Sequence, residues 1–304
     1  MAGTPSAAYL GLGRTGESAW WRYLLGAFLV ALVFIIAGVF WYLVIILIST
    51  HGKLPSFDPA TGQPAGIDPM VNYVAINIPA LFLWLCTYLS VRFLHRRPFL
   101  SLLTAAPSFN WRRMVVGFAA WTALAAVAGL VGCMLYPQAY KFVPPGPEFF
   151  AWLPLIFLMT PVQCAAEEFF FRGYLLQAFG KKIKNIWIAA FVNGLCFMLP
   201  HMFNPEVSYG IVPMALCYFS VGFIFALIVL RTGGLEMAIG AHIANNLFDG
   251  LILNDVKSVL TTRSIFVCIQ AHPWYEALSL IVLGAVLYLI IDRYVPRTMD
   301  NPVK

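Results

Sequence analysis

Stretches that are apolar at nearly every position alternate along this chain with short connections rich in proline, glycine and basic residues. The apolar blocks fall at about 23–50, 71–94, 114–136, 149–180, 185–203, 209–230, 236–253 and 274–291. Each is near the ~20 residues a helix needs to cross a bilayer. Breakers separate them: Pro55, Pro59, Pro64 and Pro69 after the first, and Pro144, Pro145 and Pro147 before the fourth. Pro205 and the Gly233-Gly234 pair punctuate the later ones. The pattern predicts an all-α fold, a polytopic membrane bundle of about eight transmembrane helices. No internal repeat or low-complexity tract interrupts it, so residues 1–304 read as a single integral-membrane domain.

Composition agrees with that pattern. The 304 residues are 61% hydrophobic and 11% charged, where a soluble domain carries about 25% charged residues. The net charge of +6 matters through its distribution. With an even number of crossings, the terminal and even-numbered connections carry fourteen of the 19 basic residues, among them Arg96, Arg97, Arg112, Arg113, Arg231, Arg297 and Lys304. The odd-numbered connections carry four, Lys53, Lys141, Lys257 and Arg263, with Arg172 set apart inside an apolar block. The positive-inside rule then places both termini in the cytoplasm. The first apolar block is too long for a signal-peptide core and no small-residue cleavage site follows it, so it reads as a retained helix. Six cysteines stand singly with no metal-type spacing and read as buried free thiols.

The candidate chemistry lies in three of the apolar blocks. They contain Glu167, Glu168 and Arg172, then His201, then His242 and Asn246. Ionisable groups at bilayer depth cost several kcal/mol and are rarely idle. Glu168 and Arg172 are four apart with the acid first, the favourable order for a helical ion pair, while Glu167 diverges from Glu168 by about 100°. This spacing suggests that Glu168 and Arg172 neutralise each other while Glu167 faces a site. The plain alternative is a structural ion cluster between helices.

His242 and Asn246 share a helix face, with Asp249 a turn further on. That stripe fits either a site in which Asp249 orients a neighbour or interhelical hydrogen bonding as glue. The basic turn at Lys181–Lys184 lies midway between Glu167 and His201, so an antiparallel hairpin sets the two at equal depth. Counting the helical rise back from that turn puts them ~25 Å away, and His242 ~12 Å from the same face, which points to the middle or cytoplasmic half.

Other signals are weaker. His51, His95 and His272 read as solvated imidazoles in loops or at helix ends. Gly11-x-Gly13-x-x-Gly16 matches a dinucleotide-loop spacing, but no strand precedes it, so it reads as a flexible N-terminal tail. Nothing supports nucleic-acid binding.

With Glu167-Glu168-x-x-x-Arg172, Phe197-x-x-x-His201 and His242-x-x-x-Asn246 in that order, the chain resembles the CAAX-protease and bacteriocin-processing (CPBP, or Abi) family. That family includes the type II CAAX prenyl endopeptidases. The resemblance spans about residues 149–253, which would be the catalytic core. It implies an intramembrane endopeptidase acting on a membrane-associated peptide or protein, prenylated or otherwise hydrophobic, with the lipid bilayer as its other partner. By motif position Glu167 would be the general base, and His201 and His242 would line the site. Asn246 would hold an oxyanion or a water, with Glu168 and Arg172 supporting. Two mechanisms stay open: a glutamate-activated water without metal, or a divalent metal such as zinc ligated by Glu167, His201 and His242. The residues alone also leave room for an ion- or proton-coupled transporter and for a non-catalytic membrane scaffold.

Overall fold

The computed structural model describes residues 4–58 and 64–295. Pro59 of the first connection, and Arg297 and Lys304 of the charge count, lie outside the described residues. The helices among those described are α1 (Pro5–Gly11), α2 (Trp20–Ser49), α3 (Pro69–Leu89), α4 (Leu100–Leu103), α5 (Trp111–Leu135), α6 (Pro147–Glu168) and α7 (Leu176–Phe179). There follow α8 (Ile186–His201), α9 (Ile211–Thr232), α10 (Glu236–Leu251) and α11 (Pro273–Tyr294). Each of the eight apolar blocks coincides with one of the longer helical elements. Six described helical stretches are long and apolar enough to cross a membrane; α8 is a shorter apolar helix and α10 has 16 residues. At ~1.5 Å per residue, 16 residues cover ~24 Å. They need their neighbours to fill the depth.

Local chemistry sets several boundaries. Pro69 opens α3 while the Asp68 carboxylate accepts from the Met70 and Val71 amides at 2.8 and 3.2 Å. Asn185 caps α8 in the same way through Trp187 and Ile188. Gly233 ends α9 with φ +76°, a left-handed conformation that costs glycine nothing. The chain reversal after it is pinned by Ala105 N donating to Gly233 O at 2.9 Å and Leu235 N donating to Leu103 O at 2.7 Å.

Helix α9 is the most enclosed of the six spans and packs against α8 and α11, whereas α10 lies between α5 and α6. The α5–α10 contact is close because Gly117 faces the Met237 backbone and Gly240 faces the Met114 backbone; a side chain at either would strike main-chain atoms. Exposed apolar side chains such as Leu24, Phe28, Ile35, Leu130 and Leu289 cover the periphery, as lipid contact requires.

The connections sort to two ends. At one, Arg14 Nη2 donates to Lys181 O at 3.0 Å, Glu17 N to His95 O at 2.8 Å, and Arg113 Nη1 to Thr232 O at 3.2 Å. At the other sits a small sheet in the order β1 (Tyr140–Phe142), β3 (Phe266–Cys268), β2 (Leu253–Asp255), with β1 antiparallel and β2 parallel to β3.

Two expectations need correction. The segment holding Gly11, Gly13 and Gly16 is no loose tail: Tyr9, Leu10 and Leu12 are buried in the main core, and the Tyr9 hydroxyl reaches Leu102 O at 2.7 Å and Arg172 O at 3.2 Å. His95 is not solvated either. It is fully buried, with Nδ1–H donating to Glu17 O and Nε2 accepting from the Tyr174 hydroxyl, both at 2.8 Å. Burial lowers its pKa to about 4. Nearby, Arg97 is 1% exposed and donates from Nη1 to Leu12 O at 2.7 Å.

Candidate active site

The site grows from a change of winding. Helix α6 is α-helical through Glu168, and the next seven residues, Phe169–Leu175, form a wider π-helical turn. Such turns leave carbonyls poorly paired, and here side chains complete them: Asn193 Nδ2 donates to Phe171 O at 2.7 Å, and Tyr9 reaches Arg172 O. The two glutamates sit on the last ordinary turn before it.

Glu168 and Arg172 are both fully buried and paired at 2.9 Å. The guanidinium also lies over the Phe197 ring, 4.0 Å from its centroid, and Nη2 donates to Val221 O at 3.3 Å. Glu168 does more than neutralise Arg172, because its Oε1 also accepts from His242 Nδ1 at 2.8 Å. A carboxylate only accepts, so the Nδ1 of His242 carries the proton and Nε2 is left for the site.

On the other side of the same ring, Glu167 Oε2 stands 3.9 Å from His242 Nε2 and 3.8 Å from His201 Nε2. His201 ends α8, and its Nδ1–H donates to Phe197 O at 2.7 Å, so it too turns Nε2 toward Glu167. Gln163, one turn before Glu167, donates from Nε2 to Glu167 Oε1 at 3.1 Å and fixes that carboxylate. The Glu167 side chain is 14% and that of His201 22% exposed, whereas Glu168 shows nothing to solvent. Glu167, His201 and His242 therefore stand together on the partly exposed side of the buried Glu168–Arg172 pair. Separations of 3.8–3.9 Å exceed a direct hydrogen bond and leave room for a bridging water.

Asn246 lies one turn beyond His242. Its Oδ1 accepts from Asn245 Nδ2 at 3.2 Å, and among the described residues it makes no hydrogen bond to Glu167 or to either histidine. Asp249 accepts from Asn245 at 3.1 Å, so the neighbour it orients is Asn245.

Glu167, His201 and His242 do not form a set whose donor atoms all lie within 4.8 Å of one another. Each histidine is within 3.9 Å of the glutamate, so the two histidines are the pair that stands too far apart. Two nitrogens held by one zinc at ~2.0–2.1 Å cannot be more than about 4.2 Å apart. The three residues as placed do not fit a common zinc ion. Among the described residues, Asp255, Cys268 and Glu276, beside the small sheet, bring their ligand atoms within 4.8 Å of one another.

Residues 147–248 match the type II CAAX prenyl endopeptidase Rce1-like family. An uncharacterized protein of Bacillus subtilis (strain 168), YyaK, is 32% identical over 273 residues, covering 89% of this chain and 91% of the relative. The chain belongs to the Rce1-like family. The matched stretch begins with α6 and ends within α10, so it contains all six motif residues. Family membership supports a CAAX-protease-like intramembrane hydrolase. Gln163, Trp121 and Asn245 were missed in the sequence. Gln163 carries a local signal, its spacing of four from Glu167, whereas Trp121 and Asn245 carry none.

Proposed function

We propose that this protein is an intramembrane endopeptidase that hydrolyses a peptide bond in a prenylated or otherwise hydrophobic membrane-associated substrate, through a water activated by Glu167. The observation that carries this reading is one carboxylate edge facing two imidazole Nε2 atoms at 3.8 and 3.9 Å.

A water in that gap can donate to Glu167 Oε2 and lie within reach of a histidine. Glu167 takes its proton as the water oxygen attacks the scissile carbonyl. The carbonyl oxygen gains charge and is met by the Asn246 NH2, while the histidine Nε2 atoms accept from the water; a donor such as Asn246 contributes ~3–4 kcal/mol in a desolvated site. The proton held by Glu167 then passes to the departing amine. Glu168 keeps His242 in one tautomer and orientation, and Arg172 pairs with that same carboxylate. Both termini are proposed to be cytoplasmic, from the excess of basic residues in the terminal and even-numbered connections.

The test is a labelled farnesylated CAAX peptide incubated with purified protein in detergent, with and without chelator. Wild type should cleave it, Glu167→Gln should not while keeping its fold, and chelator should leave the rate unchanged. A Glu167→Gln protein that cleaves at the wild-type rate removes Glu167 as base, and a wild type inert on hydrophobic peptides favours a scaffold.

A further inference from the structure

Helix α5 carries none of the motif residues, yet one of its side chains enters the polar face of α10. Trp121 is 1% exposed, packed edge-on against Phe225 with centroids 5.1 Å apart, and its Nε1–H donates to Asn245 Oδ1 at 3.1 Å. An indole nitrogen can only donate. This contact therefore decides which end of the Asn245 amide is oxygen. The NH2 end points the other way and donates to two acceptors, Asn246 Oδ1 at 3.2 Å and Asp249 Oδ2 at 3.1 Å. Asp249, an acceptor when ionised, holds the amide in the same sense as Trp121 does.

The consequence falls on Asn246. A free asparagine amide can present either its oxygen or its NH2, and presenting oxygen to a developing oxyanion is repulsive. Here Asn246 Oδ1 is already engaged, so the end left for the site is the donor. Among the described residues nothing accepts a hydrogen bond from that NH2.

We infer that Trp121, Asn245 and Asp249 are positioning residues that fix the Asn246 amide with its NH2 toward the reacting carbonyl. The inference rests on the protease reading and deepens it: a donor chain running from α5 sets the polarity of one catalytic group. None of the three touches substrate in this scheme.

The experiment uses full-length protein in detergent and a fluorescent farnesylated CAAX peptide, under single-turnover and steady-state conditions. Trp121→Phe keeps the aromatic ring and removes the donor. It should lower kcat about 10-fold, less than the 10²–10³-fold for deleting an oxyanion donor outright, with KM within about twofold. In an Asn246→Ala background the same substitution should cost nothing further, because the group it positions is gone. An equal drop in both backgrounds overturns the inference, since the effect would then be structural. So does unchanged kcat in Trp121→Phe. Where Trp121→Phe does not fold, Asn245→Ala is judged by the same two-background comparison. The ultraviolet resonance Raman band that reports indole N–H bonding gives a check free of activity: the wild-type-minus-Trp121→Phe difference should shift in Asn245→Ala, and an unshifted band overturns the chain itself. A wild type that leaves the peptide uncleaved sinks the protease reading instead, a result distinct from every outcome above.

Discussion

Removing Arg172 probes the buried layer that holds the site together. Its partner Glu168 is fully buried, and its Oε1 both forms an ion pair with Arg172 Nη1 at 2.9 Å and accepts from His242 Nδ1 at 2.8 Å. The other oxygen, Oε2, is buried with no hydrogen bond. Two unit charges ~4 Å apart interact by ~4 kcal/mol at the effective dielectric that suits protein sites, and stripping one partner from a buried pair typically costs ~3–5 kcal/mol. Arg172→Met keeps much of the side-chain volume but leaves a buried carboxylate with only His242, and also empties the position over the Phe197 ring. A loss of ~3–5 kcal/mol is expected. Glu168→Gln strands Arg172 and weakens the hold on His242 at once, so its loss should be at least as large. Combining the two removes both charges, and the double variant should recover ~2 kcal/mol or more relative to the sum of the singles. The measurement is equilibrium unfolding of the purified protein in mixed micelles, followed by tryptophan fluorescence. Single-variant losses that add to within about 0.5 kcal/mol would refute the coupling.

Other expectations follow from named contacts. Gln163→Leu frees the Glu167 carboxylate from a hydrogen bond worth about 1 kcal/mol, so kcat on the farnesylated peptide should fall about fivefold; an unchanged kcat removes Gln163 from the site. Gly240→Leu drives a side chain into the Met114 backbone and should cost ~1–3 kcal/mol or more through overpacking, read as a lowered Tm; a wild-type Tm would mean that α5 and α10 do not pack this closely. His95 has its pKa depressed by burial to about 4, against ~6.5 when unfolded. The unfolded chain thus binds the extra proton first, so the contribution of His95 is fully present above pH ~6.5 and is lost as pH falls toward 4, ~3 kcal/mol in all. Between pH 7 and 4.5, wild type should lose more stability than His95→Phe; equal losses would count against a buried neutral His95.

The membrane helices were legible because bilayer crossing writes itself into local sequence: long apolar runs, with proline, glycine and basic residues only where the chain turns. The spacing of Glu168 and Arg172 was equally local. Tertiary placement was not. Nothing near Gly11 or Gly13 signals that Tyr9 will be buried against Leu102 and Arg172, partners some 93 and 163 residues away, so a polar, glycine-bearing segment reads as a tail. His95 looked solvated for the same reason, since its partners Glu17 and Tyr174 are supplied by the fold. Strands of three residues such as Tyr140–Phe142 are too short to display any period.

The site itself was half legible, and the missing half follows from how helix geometry was applied. An ideal α-helix turns Glu167 about 100° from Glu168, which separates a site carboxylate from a structural one. That division omits the ring standing between them. His242 offers one nitrogen to each glutamate, so the divergence that seemed to split the pair is what lets it grip both sides of one imidazole. The same geometry hid Asn245. Adjacent to Asn246, it points off the motif face and so looks unrelated to chemistry, yet facing away is what allows it to meet Trp121 on α5 and still return an N–H to its neighbour's oxygen. Residues that face a site are found by matching spacing on one helix. Residues that set the orientation of the facing groups sit one position out of register, and their identification needs the helix packed against them.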